Sequence, residues 1–333
     1  MKPVRWGVLS TSSFAEEKFL PGLRKSSLID VAAVASRDLP RATAYAKRNN
    51  IATAYGSYEE LLADPTIEVI YNPLPNNLHV EWTRKSAEAG KHVLCEKPMG
   101  MRADELDVLL PLAEKVHIAE AFMVRFHPQW TETRDVVRSG KLGRITHMHV
   151  MFSYGNTDAR NIRNIAANGG GALYDIGCYA IVASRWFLDA EPVRVAAVGD
   201  LDPVFGTDRL TSALLDFGDG RTSNFSVSTQ CVNHQRVHVY GTEGRLEITI
   251  PFNQPQDDPA IYLTHRGQTP AGLDAVQHVV PTDDQYALQG EAFSLRVRNE
   301  KPTSAYLLDA KQNMRIIDAI FAATKSGRFE TIG

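Results

Sequence analysis

Short apolar runs recur through the first third of the chain, separated by segments whose apolar residues repeat at helical spacing. Strands are expected at residues 4–9, 29–35, 51–55, 67–71, 92–95 and 116–121. Helices are expected from the Ser10 turn to about residue 25, then at 39–49, 57–63, 78–89 and 103–115. Ser57 with Glu60 three residues on is a capping box for the third of these. Strand and helix in strict alternation over this length predict an α/β, doubly wound parallel sheet. This gives a first domain at residues 1–122.

The pattern then changes. A helix at 127–139 runs into Gly140-Lys141-Leu142-Gly143, and residues 145–154 alternate as a strand does. A glycine-rich loop around Gly169-Gly170-Gly171 precedes a helix starting near Ala172. Strands follow at 193–198, 210–217, 222–229, 236–240 and 245–250, punctuated by Gly218-Asp219-Gly220 and Gly241-Thr242-Glu243-Gly244. Helices near 286–298 and 305–325 finish the chain. Residues 123–333 therefore read as an α+β domain with a large, mostly antiparallel open sheet, its C-terminal helices able to pack back on the first domain. Alternation implies one sheet face covered by helices and one left open.

Composition narrows the class. The 333 residues suit two domains, and 44% hydrophobic with 23% charged residues is ordinary for a globular protein. A net charge of −3 offers no footprint for nucleic acid, and no apolar run approaches the ~20 residues of a membrane span. The first strand begins at Val4, so no signal peptide is expected. Cys95, Cys178 and Cys231 lack metal-ligand spacing and read as buried thiols of a reducing compartment, the cytoplasm by default. His147 and His149 share a strand face, but with no third ligand they read as surface histidines, so no metal is expected.

Four stretches carry chemistry. The first strand ends in Ser10-Thr11-Ser12-Ser13-Phe14-Ala15, where a dinucleotide fold has G-x-G-x-x-G. Ala15 fits the third position; Ser10 and Ser12 depart from the first two, although the helix start still offers N–H groups to an anion. The second strand ends in Ser36-Arg37, with Arg41 a turn later. A basic group there suits the 2′-phosphate of NADP, whereas NAD wants a carboxylate, for which Asp38 is the nearest candidate. NADP is favoured and NAD is the lesser alternative. Next, the buried strand His92-Val93-Leu94-Cys95 runs into Glu96-Lys97-Pro98. A lysine beyond the carboxyl end of such a strand stands at a pocket mouth as proton carrier or electrostatic anchor, or forms an ordinary ion pair with Glu96. Asp175 and Tyr179 lie four apart on the helix after the triple glycine, so both occupy one face. On spacing alone the structural reading leads, with Asp175 serving the helix dipole and Tyr179 a half-buried core aromatic.

These residues resemble the glucose–fructose oxidoreductase, inositol dehydrogenase and MocA family. The matching stretches are Trp6-Gly7-Val8-Leu9, Ala35-Ser36-Arg37-Asp38, Tyr55-Gly56-Ser57-Tyr58-Glu59-Glu60-Leu61, Pro75-Asn76-Asn77-Leu78-His79 and Gly90-Lys91-His92-Val93-Leu94-Cys95-Glu96-Lys97-Pro98. Further on come Glu120-Ala121-Phe122-Met123-Val124-Arg125-Phe126-His127-Pro128 and Gly169 to Tyr179. The resemblance spans the chain and is most similar to the branch of dimeric dihydrodiol dehydrogenase, NADP-dependent D-xylose 1-dehydrogenase and glucose–fructose oxidoreductase. That branch has tyrosine where inositol dehydrogenases have histidine.

The resemblance implies cofactor contacts at Pro73, Leu74, Asn76, His79, Glu96, Lys97 and Arg125 besides the turn and Arg37. It implies catalysis by Lys97, Asp175 and Tyr179, with Tyr179 as general acid or base, its phenol acidified by Lys97, and Arg163 binding substrate. The expected reaction is hydride transfer between NADP and a sugar or polyol, most simply at the anomeric carbon of an aldose, in either direction. The expected assembly is a homodimer through the open sheet face. Two other readings are a non-catalytic NAD(P) or sugar sensor, and a trans-dihydrodiol dehydrogenase with an apolar pocket of Phe152, Tyr154 and Trp130, three residues that also read simply as core.

Overall fold

Each of the six apolar runs of the first half becomes a parallel strand: β1 Val4–Leu9, β2 Ile29–Ala35, β3 Thr53–Tyr55, β4 Val69–Asn72, β5 His92–Cys95 and β6 Ile118–Glu120. The computed structural model describes residues 2–333 apart from 268, 270 and 271. Its chain falls into two units, Met1–Met123 with Asp284–Gln312, and Val124–Asp283 with Asn313–Gly333.

In the first unit the strand order is β3-β2-β1-β4-β5-β6, so the winding reverses between β1 and β4. Because all six strands are parallel, Ser10, Ser36, Pro73 and Glu96 leave the sheet along one edge, where ligands bind in such folds. Apolar packing holds this edge from behind. Trp6, Phe19, Tyr71 and Phe293 are at most 2% exposed, and each such burial stabilises by about 2–3 kcal/mol. Phe19 stacks on Tyr71 at 3.7 Å, and the Trp6 indole donates to Ser294 on the helix Gln285–Asn299.

The helices start where their caps dictate. Ser57 Oγ accepts the Glu60 N–H at 3.1 Å while the Glu60 carboxylate accepts the Gly56 N–H at 3.0 Å. The helix expected up to residue 25 is instead a wide π turn, Ala15–Phe19, followed by Leu20–Leu23. Pro21 has no N–H to give the carbonyl four residues back, and the Leu20 N–H reaches Ala15 instead. Pro111 interrupts the helix expected at 103–115 in the same way: Ala103–Leu109 is 3₁₀ and only Leu110–Ala113 is α-helical.

The second unit is built on a nine-stranded sheet. Its strands are β7 Ile145–Gly155, β8 Arg194–Leu201, β9 Asp208–Asp216, β10 Thr222–Ser228, β11 Gln230–Gly241, β12 Arg245–Ile248, β13 Ala260–His265, β14 Val276–Val280 and β15 Glu330–Thr331. The order is β14-β13-β12-β11-β7-β10-β9-β8-β15, antiparallel except where β10 meets β7. That pair is parallel because the connection between them passes through the helix Cys178–Leu188, β8 and β9. Strands β13, β14 and β15 lie outside the runs picked out by alternation.

One sheet face is covered. Ser184 Oγ of the Cys178–Leu188 helix meets Ser223 Oγ at 2.7 Å, and Gly199 packs on Thr324. The opposite face carries His147, His149, Leu210 and Leu214. Cys95 and Cys178 are buried, but Cys231 is exposed, against expectation, where the pairing of β11 with β7 is interrupted between Gln230 and His234. Among the described residues no helix is long and apolar enough to cross a membrane.

Candidate active site

The β1 turn keeps its tight geometry without glycine. Ser10 takes φ +69°, the left-handed region that glycine adopts freely and serine only at a cost. Ser12 then caps the helical turn that leads into the π turn: its Oγ accepts the Ala15 N–H at 3.3 Å and its carbonyl accepts both the Glu16 N–H and the Tyr45 hydroxyl. Thr11 lies between them half-buried, Ser13 is exposed, and Phe14 meets Tyr286 edge-on at 5.9 Å.

At the end of β2, Ser36 is buried and Arg37 exposed. Asp38 caps the helix Leu39–Arg48, its carboxylate accepting the Arg41 N–H at 3.0 Å. Neither the Arg37 nor the Arg41 guanidinium has an ion-pair or hydrogen-bond partner among the described residues. Both charges are felt at Tyr58: burial raises that phenol and the two guanidiniums pull it back. The edge beyond β2 is thus positive and open to an anion.

The β4 and β5 loops are tied together by buried polar groups. Asn72 donates to the His79 carbonyl at 3.1 Å and to Thr83 at 3.2 Å, which fixes the turn carrying Pro73 and Leu74 before Asn76 starts the next helix. His79 is 1% exposed. Its Nε2 lies 2.6 Å from the Leu74 carbonyl oxygen and its Nδ1 2.7 Å from that of Pro98. His79 therefore bridges the two loops through their backbone. Burial pushes its imidazole down to about 4, the two carbonyls pull upward, and the Lys97 charge adds to the lowering. Glu96 accepts the Tyr71 hydroxyl at 2.6 Å, and Glu120 accepts the Met99 N–H at 2.8 Å. Lys97 is half-buried between these two anchored points.

Asp175 is the centre of the second unit's polar cluster. Its Oδ2 accepts the Tyr154 hydroxyl at 2.6 Å and Arg163 Nε at 2.9 Å. The Asp175 charge is the main cause holding the Arg163 guanidinium upward, and Tyr179 lies within electrostatic reach of it. Burial first, and then Asp175, raises the Tyr154 phenol. The glycines explain the close approach. A Cβ on Gly170 would stand 2.4 Å from the Arg163 carbonyl oxygen, and the Gly171 N–H donates to that carbonyl at 2.9 Å. The loop holding Arg163 is thereby laid against the turn that carries Asp175.

Tyr179 is 5% exposed, its ring packed against Phe152 at 6.1 Å and Phe252 at 5.5 Å. Arg125, half-buried, sits 5.9 Å over the Trp186 ring. By unit, Lys97, His79 and the turn residues belong to the first, while Arg125, Arg163, Asp175 and Tyr179 belong to the second.

Of the three aromatics weighed as pocket lining or as core, Trp130 and Phe152 take the core reading and Tyr154 takes neither. Trp130 is fully buried with its indole N–H on the Pro251 carbonyl, and Phe152 stacks on Phe252 at 4.8 Å. Both are core, whereas Tyr154 is a polar partner of Asp175. His147 Nδ1 lies 2.8 Å from Thr222 Oγ and His149 Nδ1 3.1 Å from Asn224 Oδ1. Among the described residues no three His, Cys, Asp or Glu side chains gather as a metal site.

Comparison with known proteins agrees with this layout. Residues 4–125 match the oxidoreductase family model described as an NAD-binding Rossmann fold, and residues 130–247 match the GFO/IDH/MocA C-terminal domain. The chain is 44% identical over its full length to an uncharacterized oxidoreductase of Rhizobium meliloti, which is itself covered completely. It is 37% identical to a D-xylose 1-dehydrogenase (NADP(+)) of Haloferax volcanii, over 97% of this chain and 98% of that one. Among solved structures it is similar to a 3-ketoreductase from Actinomadura kijaniata in complex with NADP and TDP-benzene. The TM-score there is 0.90 at 30% identity, covering 96% of this chain and 98% of that one.

Proposed function

The chain belongs to the GFO/IDH/MocA family of oxidoreductases, and on that premise we propose that it is an NADP-dependent enzyme exchanging hydride with a sugar or polyol. The specific reading is an aldose 1-dehydrogenase of the D-xylose or D-glucose type, or the same chemistry run as a reduction.

The observation that carries it is the pair Arg37 and Arg41, exposed at the end of β2 without partners among the described residues. A 2′-phosphate fits two such guanidiniums, while Asp38, the carboxylate an NAD ribose would want, caps its own helix. The Ser10 turn supports the same fit by keeping the glycine-like backbone. Ser10, Thr11, Ser12, Ser13 and Phe14 would line the pyrophosphate, Ser36, Arg37 and Arg41 the 2′-phosphate, and Pro73, Leu74, Asn76 and Glu96 the nicotinamide end, with Arg125 a further contact. His79 would act through the Leu74 and Pro98 backbone it spans.

When bound, NADP supplies the two-electron carrier. The chain's own part is the proton and the placement of the substrate. In oxidation Tyr179 takes the hydroxyl proton as the carbonyl forms, and in reduction it returns it. Lys97 stabilises charge at the reacting oxygen. Asp175, oriented by Tyr154 and Arg163, accepts a hydrogen bond from a neighbouring hydroxyl. The same reading gives the open sheet face to a second copy of the chain. Val198, Leu210 and Leu214 are 75%, 40% and 38% exposed on that face, and sedimentation showing only monomer at micromolar protein would contradict the dimer. The free thiols support a reducing, cytoplasmic setting.

The test is nicotinamide fluorescence titration followed by turnover with a panel of aldoses. NADPH should bind at micromolar concentration or tighter, and an aldose should yield NADPH from NADP. Binding of sugar or nucleotide without turnover would point instead to a sensor. A Tyr179→Phe variant that keeps wild-type turnover would move the proton role to Lys97.

A further inference from the structure

The helical segment that carries Asp175 and Tyr179 begins in an unusual way. Its N-cap position is Ala172, preceded by Gly171, and neither has a side chain able to accept the free N–H groups of a first turn. The acceptor comes instead from another element. Asp208, the first residue of β9, is 5% exposed, and its Oδ2 accepts the Leu173 N–H at 2.8 Å across 35 positions of sequence. The Ala172 N–H bonds the same carboxylate, and Thr211 Oγ donates to Oδ2 at 2.8 Å. The other oxygen fills the space beside the glycine loop: a Cβ on Gly171, whose φ is +119°, would stand 1.9 Å from Oδ1. Gly171 is therefore demanded both by its backbone and by the carboxylate against it.

We propose that Asp208 is a positioning residue: its carboxylate holds the first turn of the segment bearing Asp175 and Tyr179 and so fixes where those two side chains stand. A local serine or aspartate cap would satisfy the same N–H groups. It would not bind the turn to β9, and the turn's height above the sheet decides whether Asp175 meets Tyr154 of β7 and Arg163 of the loop. The groups facing Asp208 are Tyr154, whose phenol it helps to raise, and beyond it Asp175 and Arg163. On its own strand Arg209 is paired away with Asp200. Burial raises the Asp208 carboxyl to about 6, against the pull of its N–H and hydroxyl donors. Its ionisation therefore falls within the working range of an enzyme, and the anchored turn is held by the charged form.

The consequence for turnover rests on the hydride-transfer reading above; the anchor itself does not. In the full-length chain, Asp208→Asn and Asp208→Ala should lower kcat on the best aldose by about 10- to 100-fold, the loss expected when a charged acceptor is removed from buried donors. The dissociation constant for NADPH should stay within about twofold. The wild type should lose kcat/KM below pH about 6, and Asp208→Asn should lack that limb, which a purely structural residue would leave in place. Gly171→Ala should be damaging alone, yet the Gly171→Ala, Asp208→Ala double variant should lose less than the product of the two single losses, because one clash has been removed. Wild-type kcat in folded Asp208→Ala, or losses that multiply, would overturn the proposal. Should no aldose turn over at all, amide exchange decides: the Ala172 and Leu173 amides should exchange at least tenfold faster in Asp208→Asn than in the wild type, and unchanged exchange would refute the anchor.

Discussion

Tyr154 and Asp175, 21 residues apart in sequence, share a 2.6 Å hydrogen bond in which the phenol donates. The bond joins the end of β7 to the start of the segment that also carries Tyr179, and Arg163 closes the group from a third side. A carboxylate with two donors on one oxygen has its orientation set before any substrate arrives, the arrangement that electrostatic preorganisation requires.

Removing the phenol should therefore harm turnover more than folding. Tyr154→Phe keeps the ring and deletes one hydrogen bond to a charged acceptor, worth about 1.5–3 kcal/mol. The expected result is a fall in kcat of roughly 30-fold or more, a change in unfolding free energy of less than about 2 kcal/mol, and NADPH affinity unchanged. Steady-state kinetics beside a urea melt would check it, and equal loss of stability and nucleotide binding would mean the bond is only structural.

Arg37 and Arg41 should divide NADPH from NADH. Arg37→Ala removes a guanidinium with no partner to leave stranded among the described residues, so stability should hold within about 0.5 kcal/mol. A lost charge-assisted contact to phosphate should weaken NADPH by about 10- to 100-fold and NADH by less than about twofold. Arg41→Ala should follow in the same direction with a smaller effect. Fluorescence titrations of both nucleotides read the selectivity directly; parallel weakening of the two would place the phosphate elsewhere.

Much of this was legible in the residues. The alternation of short apolar runs with helical segments predicts the parallel sheet, and Ser36-Arg37 marks the positive edge beyond β2. Tyr154 was misread for a physical reason. It lies two residues after Phe152, so the period of a strand puts both on one face, and nothing local announces that its hydroxyl finds a carboxylate 21 positions away. Asp208 was missed likewise, since an N-cap is ordinarily sought next to its helix and this one comes from 35 residues on. The π turn at Ala15–Phe19 is legible in hindsight from Pro21, whose missing N–H forbids a regular helix there.

Ser10 should respond to substitution as a strained turn residue. With φ at +69°, Ser10→Gly relieves the backbone but gains freedom in the unfolded chain, for a net stabilisation of up to about 1 kcal/mol. Ser10→Val, β-branched in the same conformation, should cost about 1–2 kcal/mol. Chemical denaturation of the two variants reads the difference, and equal stability would mean the turn relaxes around its side chain.

Folding should weaken in acid before the exposed carboxylates titrate. Burial holds His79 and His92 down near 4 from the ordinary 6.5, and His92 Nδ1 accepts the His117 N–H at 3.0 Å, which only the neutral ring can do. The unfolded chain therefore takes up these protons first as pH falls, so the stability tied to both rings is complete above about 6.5 and is lost progressively down to about 4. Asp208 works the other way. Its carboxyl is raised to about 6, so the folded chain takes that proton first and recovers some stability as pH drops through the same range. Two protons against one leave a net slope on the order of 1.4 kcal/mol per pH unit between about 6 and 4, steepened by His117 and His265, which burial also lowers. Denaturation midpoints across this range should show the slope, and His92→Asn, which keeps an acceptor but cannot titrate, should take about 1.4 kcal/mol per pH unit out of it, leaving little beyond what His117 and His265 add. Asp208→Asn should steepen it instead. A slope indifferent to both substitutions would mean that other groups control the acid transition.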